Sequence, residues 1–321
     1  MNYISDSNII YHYTSFDKFK CILKYGTLRF KESTQSNDML DTIGLVNALK
    51  AMPDFKSPTE MSEALNFIIG YYKSGVYRQS STSMVACFTT IPDSRMLWEA
   101  YTMNRPSNIE CPYGEAKYCY NSQLKYNGAC IAFRKDKLRE IIRGAEGISC
   151  EKSFLEPIRY GEDRIKITLN ELLKEAIASC VKLLKDEDQT QYIIPPIPIP
   201  FTKGKVAEVK KSIVYPSLSF IGKIDERSPF FKHEFWSEEK EIRASLYVRN
   251  GNIDRYKNIR EQDGAKYCDI DITLDCIDHV ILGPEFDDES IYDVKNQKDV
   301  KLDFNALITQ NSVGTGVIRS K

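Results

Sequence analysis

The stretch Asn8 to Phe30, NIIYHYTSFDKFKCILKYGTLRF, constrains this chain more than any other. An alternating apolar run turns straight into an amphipathic helix, halts at a glycine and restarts as a strand. The first strand covers Asn8 to Tyr13. Thr14 or Ser15 is the helix N-cap, and Asp17 stands in the first turn, where a negative charge meets the positive end of the helix dipole. Phe16, Phe19, Ile22 and Leu23 recur at helical spacing and predict one buried face. Gly26 is the left-handed stop, and TLRF sets off as the next strand. Folding does not explain His12, one of only three histidines, near the end of the first strand.

The rest of the chain alternates in the same way. Asn37-Asp38 opens a helix containing Leu45, Val46 and Leu49, and Ser57-Pro58-Thr59-Glu60 is a capping box that starts another through Met61, Leu65, Ile68 and Ile69. Gln79 to Ser83 reads as a loop, Met84 to Thr90 as a buried strand, and Asp93 or Ser94 as the cap of a short helix with Trp98 and Tyr101. Residues 103–126 read as irregular. Gly128 to Phe133 is a buried strand, Lys135 to Arg143 a helix, and Phe154 to Tyr160 a strand. Thr168 to Glu171 is a second capping box, leading a helix to about Lys185. The run PPIPIP at 195–200 can continue neither element. Strands are expected over Glu239 to Val248, Tyr267 to Ile272 and Asp278 to Leu282, and SVGTGVIRSK is a short strand or a tail. This order predicts an α+β fold with a mixed or split sheet, one elaborated domain over 1–321 with helical insertions about 36–76 and 168–215.

Composition narrows the function classes. A net charge of −1, with acids and bases interspersed, gives no global basic face for nucleic acid. The nine cysteines include no CxxC pair, and no histidine is spaced to complete a zinc site, so they read as reduced thiols of a cytoplasmic protein, packing as small hydrophobes. No apolar run is long enough for a bilayer. Neither GxGxxG after a strand nor GxxxxGK[ST] occurs, so no Rossmann site or P-loop is expected.

Two stretches carry candidate chemistry. In IIYHYT, strand alternation puts Ile10, His12 and Thr14 on one face, Tyr11 and Tyr13 on the other. His12 is then either a core histidine bonded to backbone or a hydrogen-bonding group at a cleft edge. In FWSEEKEIRASLYV, Ile242, Ala244, Leu246 and Val248 make a core face, and Glu239, Glu241, Arg243 and Ser245 share the opposite one. Acids two apart on a strand disfavour each other's ionisation and suit stabilising a sugar cation or activating an acceptor. The structural alternative is a solvated charged face in which Arg243 neutralises a neighbour. Trp236 just before it is one of two tryptophans. Trp98 and Tyr101, one helical turn apart, are core or a ligand platform, and Arg29 is a phosphate ligand or a surface arginine.

The succession YHYTS, ILKYGTLRF, ND, CFTT, MLWEAY, GACIAF, WSEEKEIR and VILGP resembles the prokaryotic domain of unknown function twenty-nine seventy-one, from Tyr11 to about Pro284. That family usually carries proline after Asn-Asp, where this chain has Met39. More distantly, a strand ending in His-Tyr-Thr, then a helix, a glycine and a second strand, is similar to the opening of ADP-ribosyltransferase folds. This resemblance implies a sheet cleft that takes NAD as substrate, with His12 on a ribose hydroxyl. Thr14, Thr89 and Tyr101 join it in binding the cofactor, and Tyr101 or Tyr25 is the substitute for Thr89 at the middle-strand position. Glu239-Lys240-Glu241 matches Glu-x-Glu: Glu241 steadies the ribosyl cation and Glu239 serves the acceptor.

The expectation is an NAD-dependent ADP-ribosyltransferase or related NAD glycohydrolase, a toxin or antiviral effector, with a protein, nucleic acid, small molecule or water as acceptor. A non-enzymatic nucleotide- or nucleic-acid-binding module is the alternative. The first reading requires the strands carrying His12 and Glu241 to be near neighbours in one sheet, with both side chains facing the same cleft; side chains on opposite faces, or far apart with core between them, would end it.

Overall fold

The computed structural model describes residues 8–35, 44–52, 66, 69–70, 81–102, 128–185, 192–193, 209–262, 264–286, 288–305 and 317–319. The Asn37-Asp38 helix start, the capping box at Ser57 to Glu60, the stretch 103–126 and the run PPIPIP lie outside these residues, whereas Leu45, Val46 and Leu49 form a helix as expected.

The opening stretch folds much as its pattern dictates. Strand β1 is Ile9–Thr14, helix α1 Phe16–Tyr25 and strand β2 Thr27–Glu32. Ser15 is the N-cap, and Gly26 closes α1 at φ 58°, its N–H bonded to the carbonyl of Ile22. Phe16, Phe19, Ile22 and Leu23 are all buried, each contributing about 1.5–3 kcal/mol through area removed from water.

The remaining elements, in order, are α2 Gly44–Lys50, β3 Ser81–Thr89, α3 Arg95–Tyr101, β4 Ala129–Arg134, α4 Lys135–Gly144, β5 Lys152–Pro157, β6 Arg159–Tyr160, α5 Glu162–Leu184, β7 Tyr192–Ile193, β8 Val209–Lys210, α6 Lys211–Arg227, β9 Phe231–Lys232, β10 Glu241–Arg249, β11 Ile259–Gln262, β12 Ala265–Asp271, β13 Ile277–Leu282, α7 Asp288–Lys295 and β14 Val317–Arg319. The protein is α+β. Its main sheet has ten strands, with β11-β12-β2-β3-β1-β4-β13-β14 as the path and β10 and β5 branching from β3. All its pairs are antiparallel except β13 with β14.

The sheet divides at β3. One edge of β3 pairs with β10 along its whole length, Ser81 with Arg249 through Thr89 with Glu241. Its other edge is shared: β2 takes Met84 and Val85, and β1 pairs only at Tyr11 with Thr89.

Apolar residues sort into three cores. The largest lies under one face of the sheet and is covered by α1, α4 and α7, with Phe19, Phe30, Phe88, Phe133, Ile242 and Leu246 among its members. A small one on the opposite face joins Tyr11, Tyr13, Cys130 and Ile281 to Leu97 and Trp98 of α3. The third is helical: Leu45 and Leu49 of α2 pack with Leu169 and Leu172 of α5, Phe220 and Ile224 of α6, and Phe231. Among the described residues no helix is long and apolar enough to cross a membrane, and the cysteines are free thiols.

Several expectations are corrected. Ser81 to Ser83 belong to β3, because their backbone pairs with β10 while Ser81 and Thr82 hydroxyls donate to Asp225 (3.3 Å) and Asn250 (2.8 Å). The strand at Phe154 to Tyr160 breaks into β5 and β6 at Ile158. Helix α5 begins at Glu162, not at Thr168. Gly161 caps it at φ 86°, a conformation that favours glycine, and a Cβ there would also make the Glu234 carboxylate, 2.5 Å away, give way. Thr168 is inside the helix and accepts from Arg159 Nη1 at 3.0 Å. Helix α6 contains Pro216 within it, which hides it from a reading that treats proline as a breaker.

Candidate functional site

Opposite residues of paired strands share a face, so the register sets Glu241, Thr89 and Tyr11 side by side across β10, β3 and β1. A cleft open to solvent lies against this row. Tyr11, His12, Tyr13, Cys87, Phe88, Thr89, Leu97, Tyr101, Glu239 and Glu241 line it. The lining is aromatic on most sides, with the two carboxylates as its charged groups.

His12 is the odd member. Strand alternation puts it on the face opposite Tyr11, Thr89 and Glu241, and its ring lies 5.6 Å from that of Phe88 in the main core. It lines the cleft on the Cys87–Phe88 side of the single Tyr11–Thr89 pair, where β1 and β3 are no longer paired. There its Nδ1 is 2.9 Å from the carbonyl oxygen of Cys87. A carbonyl only accepts, so Nδ1 carries the proton and Nε2 is left as the acceptor nitrogen of the neutral ring. Burial lowers the His12 pKa below its ordinary value, with nearby Lys18 adding to the effect against the Cys87 hydrogen bond. The expected arrangement is met in part: His12 and Glu241 both line the cleft, but β3 lies between their strands and alternation starts His12 from the face opposite Glu241.

The sequence reading placed Glu239, Glu241 and Arg243 together on one strand. The strand begins only at Glu241. Glu239 ends a 3₁₀ turn, Glu234–Glu239, and Lys240 between the two acids is left-handed, φ 44°. Non-glycine residues rarely adopt that conformation, and here it folds the two carboxylates towards one cation. That cation is Lys232 on β9, with Nζ 2.6 Å from Glu239 Oε2 and 3.1 Å from Glu241 Oε2. Arg243 completes the cluster, its Nε donating to Glu241 Oε1 at 2.7 Å. The face is charged as expected, but it is buried rather than solvated.

Further bonds fix the turn. Thr89 Oγ1 donates to the carbonyl of Glu239 at 2.6 Å and accepts from the N–H of Ile91 at 3.1 Å. Tyr101 OH donates to Glu239 Oε1 at 2.8 Å. Tyr160 OH accepts from the N–H of Glu241 at 2.8 Å. Trp236, singled out in the sequence, lies with its ring 5.0 Å from Lys232 Nζ, a cation–π contact.

The electrostatics follow. Burial pushes the Glu241 carboxyl up, but Arg243 and Lys232 together outweigh it and hold it below the ordinary range. For Lys232, burial works against the ammonium, yet Glu241 and Glu239 raise its pKa overall. Burial and the adjacent Glu239 raise Tyr101, keeping it a donor, and burial pushes Tyr160 up to about 12.

Of the residues singled out in the sequence, His12, Thr89, Tyr101, Glu239 and Glu241 meet at the cleft. Thr14 does not line it: it is buried at the end of β1 opposite Ala129. Tyr25 is exposed on α1, also away from the cleft. Arg29 pairs with Asp269. Sequence reasoning missed Lys232, whose one signal was a lysine directly after the apolar Phe230-Phe231. Among the described residues no group of histidine, cysteine, aspartate or glutamate could hold a metal ion.

Residues 116–244 match the family model described as Protein of unknown function (DUF2971). The matched span includes Lys232, Glu239, Glu241 and Arg243, and begins after His12, Thr89 and Tyr101. No curated protein and no solved structure matches the chain.

Proposed function

We propose that the cleft binds NAD and that the protein breaks the bond between nicotinamide and ribose, as an ADP-ribosyltransferase or NAD glycohydrolase with an ADP-ribosyltransferase-like sheet. One observation carries this reading: His12, Tyr101, Glu239 and Glu241, from four separate elements, line a single aromatic-walled cleft.

Nicotinamide leaves NAD as a neutral amide, taking the electron pair of the C–N bond and leaving positive charge on the ribose. Aromatic walls suit the pyridinium ring, and a carboxylate beside C1′ lowers the barrier as that charge develops. Glu241 has this role. His12 Nε2 accepts a ribose hydroxyl. The acceptor oxygen or nitrogen bonds to C1′ and gives up its proton to Glu239. Thr89 acts indirectly, by tying the turn that carries Glu239, and Tyr101 orients the same carboxylate. No lysine or arginine lines the cleft among the described residues, so it suits the nicotinamide riboside end, with the pyrophosphate outside. Consumption of NAD fits a toxin or antiviral effector.

A second reading, a nucleotide-binding module without chemistry, is favoured by one observation: both oxygens of Glu241 already face cations, Arg243 and Lys232. Labelled NAD separates the two. The purified protein is incubated with NAD and candidate acceptors, and NAD binding, nicotinamide release and label transfer are followed. Under the first reading Glu241→Gln keeps its fold and loses about a hundredfold or more in cleavage. Glu239→Gln loses transfer more than hydrolysis, and His12→Ala chiefly weakens NAD binding. Wild-type turnover in Glu241→Gln overturns the mechanism, and binding without any cleavage moves the conclusion to the module.

A further inference from the structure

Four charges occupy a volume that water barely enters. Side chains of Lys232 and Glu239 are 7% and 6% exposed, and those of Arg243 and Glu241 are 3% and 5% exposed. Two carboxylates so close repel strongly in a poorly polarisable interior, and one of them would ordinarily keep its proton. Arg243 donates to Glu241 and, through Nη1, to the carbonyl of Pro229, 2.7 Å away; the Tyr101 hydroxyl donates to Glu239, and the Cys87 side chain faces Glu241. Lys232 is the group that touches both acids.

Its position is built from outside the sheet. Phe231, the residue before it, is buried in the helical core. Strand β9 runs parallel to β6, pairing Lys232 with Tyr160, the residue whose hydroxyl takes the N–H of Glu241. Trp236 covers the ammonium. Packing of Phe231 into the helical core and the pairing of β9 with β6 therefore set one cation between two acids that follow it by seven and nine residues.

We propose that Lys232 is the positioning residue of this site, a clamp that binds Glu239 and Glu241 as a pair, selects which oxygens they turn towards the cleft and lets both remain charged side by side. Its catalytic consequence rests on the NAD reading above; the clamp itself does not. An uncharged side chain of the same length fills the same space but leaves the two acids facing each other. They then share a proton, and whichever step needs a free carboxylate acquires a pH dependence that the wild type lacks. A lysine needed only for packing predicts no such change.

The test compares wild type with Lys232→Met and Lys232→Arg, with glutamate side chains carrying ¹³C at the carboxyl. Titrated from about pH 8 to about pH 5, Lys232→Met takes up one more proton at the Glu239–Glu241 pair than wild type does, and Lys232→Arg does not. In cleavage assays the acid limb of Lys232→Met moves to higher pH, and arginine restores it. Equal proton uptake in folded Lys232→Met and wild type overturns the clamp, whatever the activity. Extra uptake in a protein whose wild type never cleaves NAD upholds the clamp and sinks the NAD reading. Should Lys232→Met fail to fold, Lys232→Met/Glu239→Gln decides, because it removes the repulsion with the clamp. Recovery of a cooperative melting transition supports the inference, and continued failure to fold overturns it.

Discussion

Arg29 with Asp269 and Arg243 with Glu241 are the same contact made twice, an arginine Nε on a carboxylate oxygen at 2.8 Å and 2.7 Å. The first pair crosses from β2 to β12, with side chains 45% and 23% exposed, and Arg29 also stacks 4.1 Å over Tyr267. The second is 3% and 5% exposed, on one strand beside the cleft. At the surface, water competes for both ions and salt screens them, so the pair is worth little. In the interior, transfer from water costs several kcal/mol per ion, and only full pairing offsets it. Equal geometry thus carries opposite consequences: the surface pair is dispensable, whereas the buried one is a commitment that fixes Lys232, Glu239 and the turn between the acids.

The largest effect expected from this contrast is on stability. Arg243→Met strands Glu241 in a site with one cation for two acids, and breaking a buried pair costs about 3–5 kcal/mol. Urea unfolding measures it. Replacing both partners, Arg243→Met with Glu241→Leu, should cost clearly less than Arg243→Met alone, since no orphaned charge remains. If the single variant costs no more than Arg29→Ala, depth is not what separates the two pairs.

Acid and base probe the same contrast. The folded pKa of Glu241 lies below its ordinary 4.5, so its contribution is present above pH 4.5 and is lost as pH falls through the folded value. The folded pKa of Lys232 lies above its ordinary 10.5, so its contribution is present below 10.5 and is lost as pH rises through the folded value. His12 is shifted down from 6.5: the unfolded chain takes up its proton first, and stability declines as pH falls below 6.5. A stability profile should therefore be flat at neutral pH, with an early shoulder on the acid side. His12→Gln should remove that shoulder at a cost of about 1 kcal/mol at neutral pH, the worth of one hydrogen bond to the Cys87 carbonyl. A shoulder that survives the substitution assigns it elsewhere.

Local pattern made much of this legible and long-range pairing hid the rest. Phe16, Phe19, Ile22 and Leu23 carry the helical period in a single stretch, and the run from Ile242 to Val248 carries the strand period. Both elements form with the faces the pattern predicts. The acids were found for the same reason, being two apart in sequence. Their burial was not legible, because it depends on Lys232, seven residues before Glu239 but on a separate short strand, and on Tyr160, which a parallel contact brings beside that strand from a distant segment. The left-handed Lys240 was equally hidden: nothing in Glu-Lys-Glu distinguishes a continuing strand from a turn, so Glu239 was placed one element too far. Polar Ser81 to Ser83 read as a loop, since the partners that make them a strand, Tyr247 to Arg249, lie far along the chain.

The smallest effect is the sharpest control. Arg29→Ala, Asp269→Ala and the double variant form a cycle whose coupling energy should be about 0.2–1 kcal/mol at low salt. Added salt should shrink it, because the screening length falls to about 3 Å at 1 M ionic strength. The stacking of Arg29 on Tyr267 survives Asp269→Ala, so part of the loss in Arg29→Ala should remain when its partner is already gone and should resist salt. The buried cluster should behave otherwise: burial leaves it far less screened, and the cost of Arg243→Met should change little between low and high salt. A coupling between Arg29 and Asp269 as large and as salt-resistant as that of the buried pair would mean that water does not weaken this contact at the surface, and burial could then no longer explain why the site is built around Lys232 and Arg243.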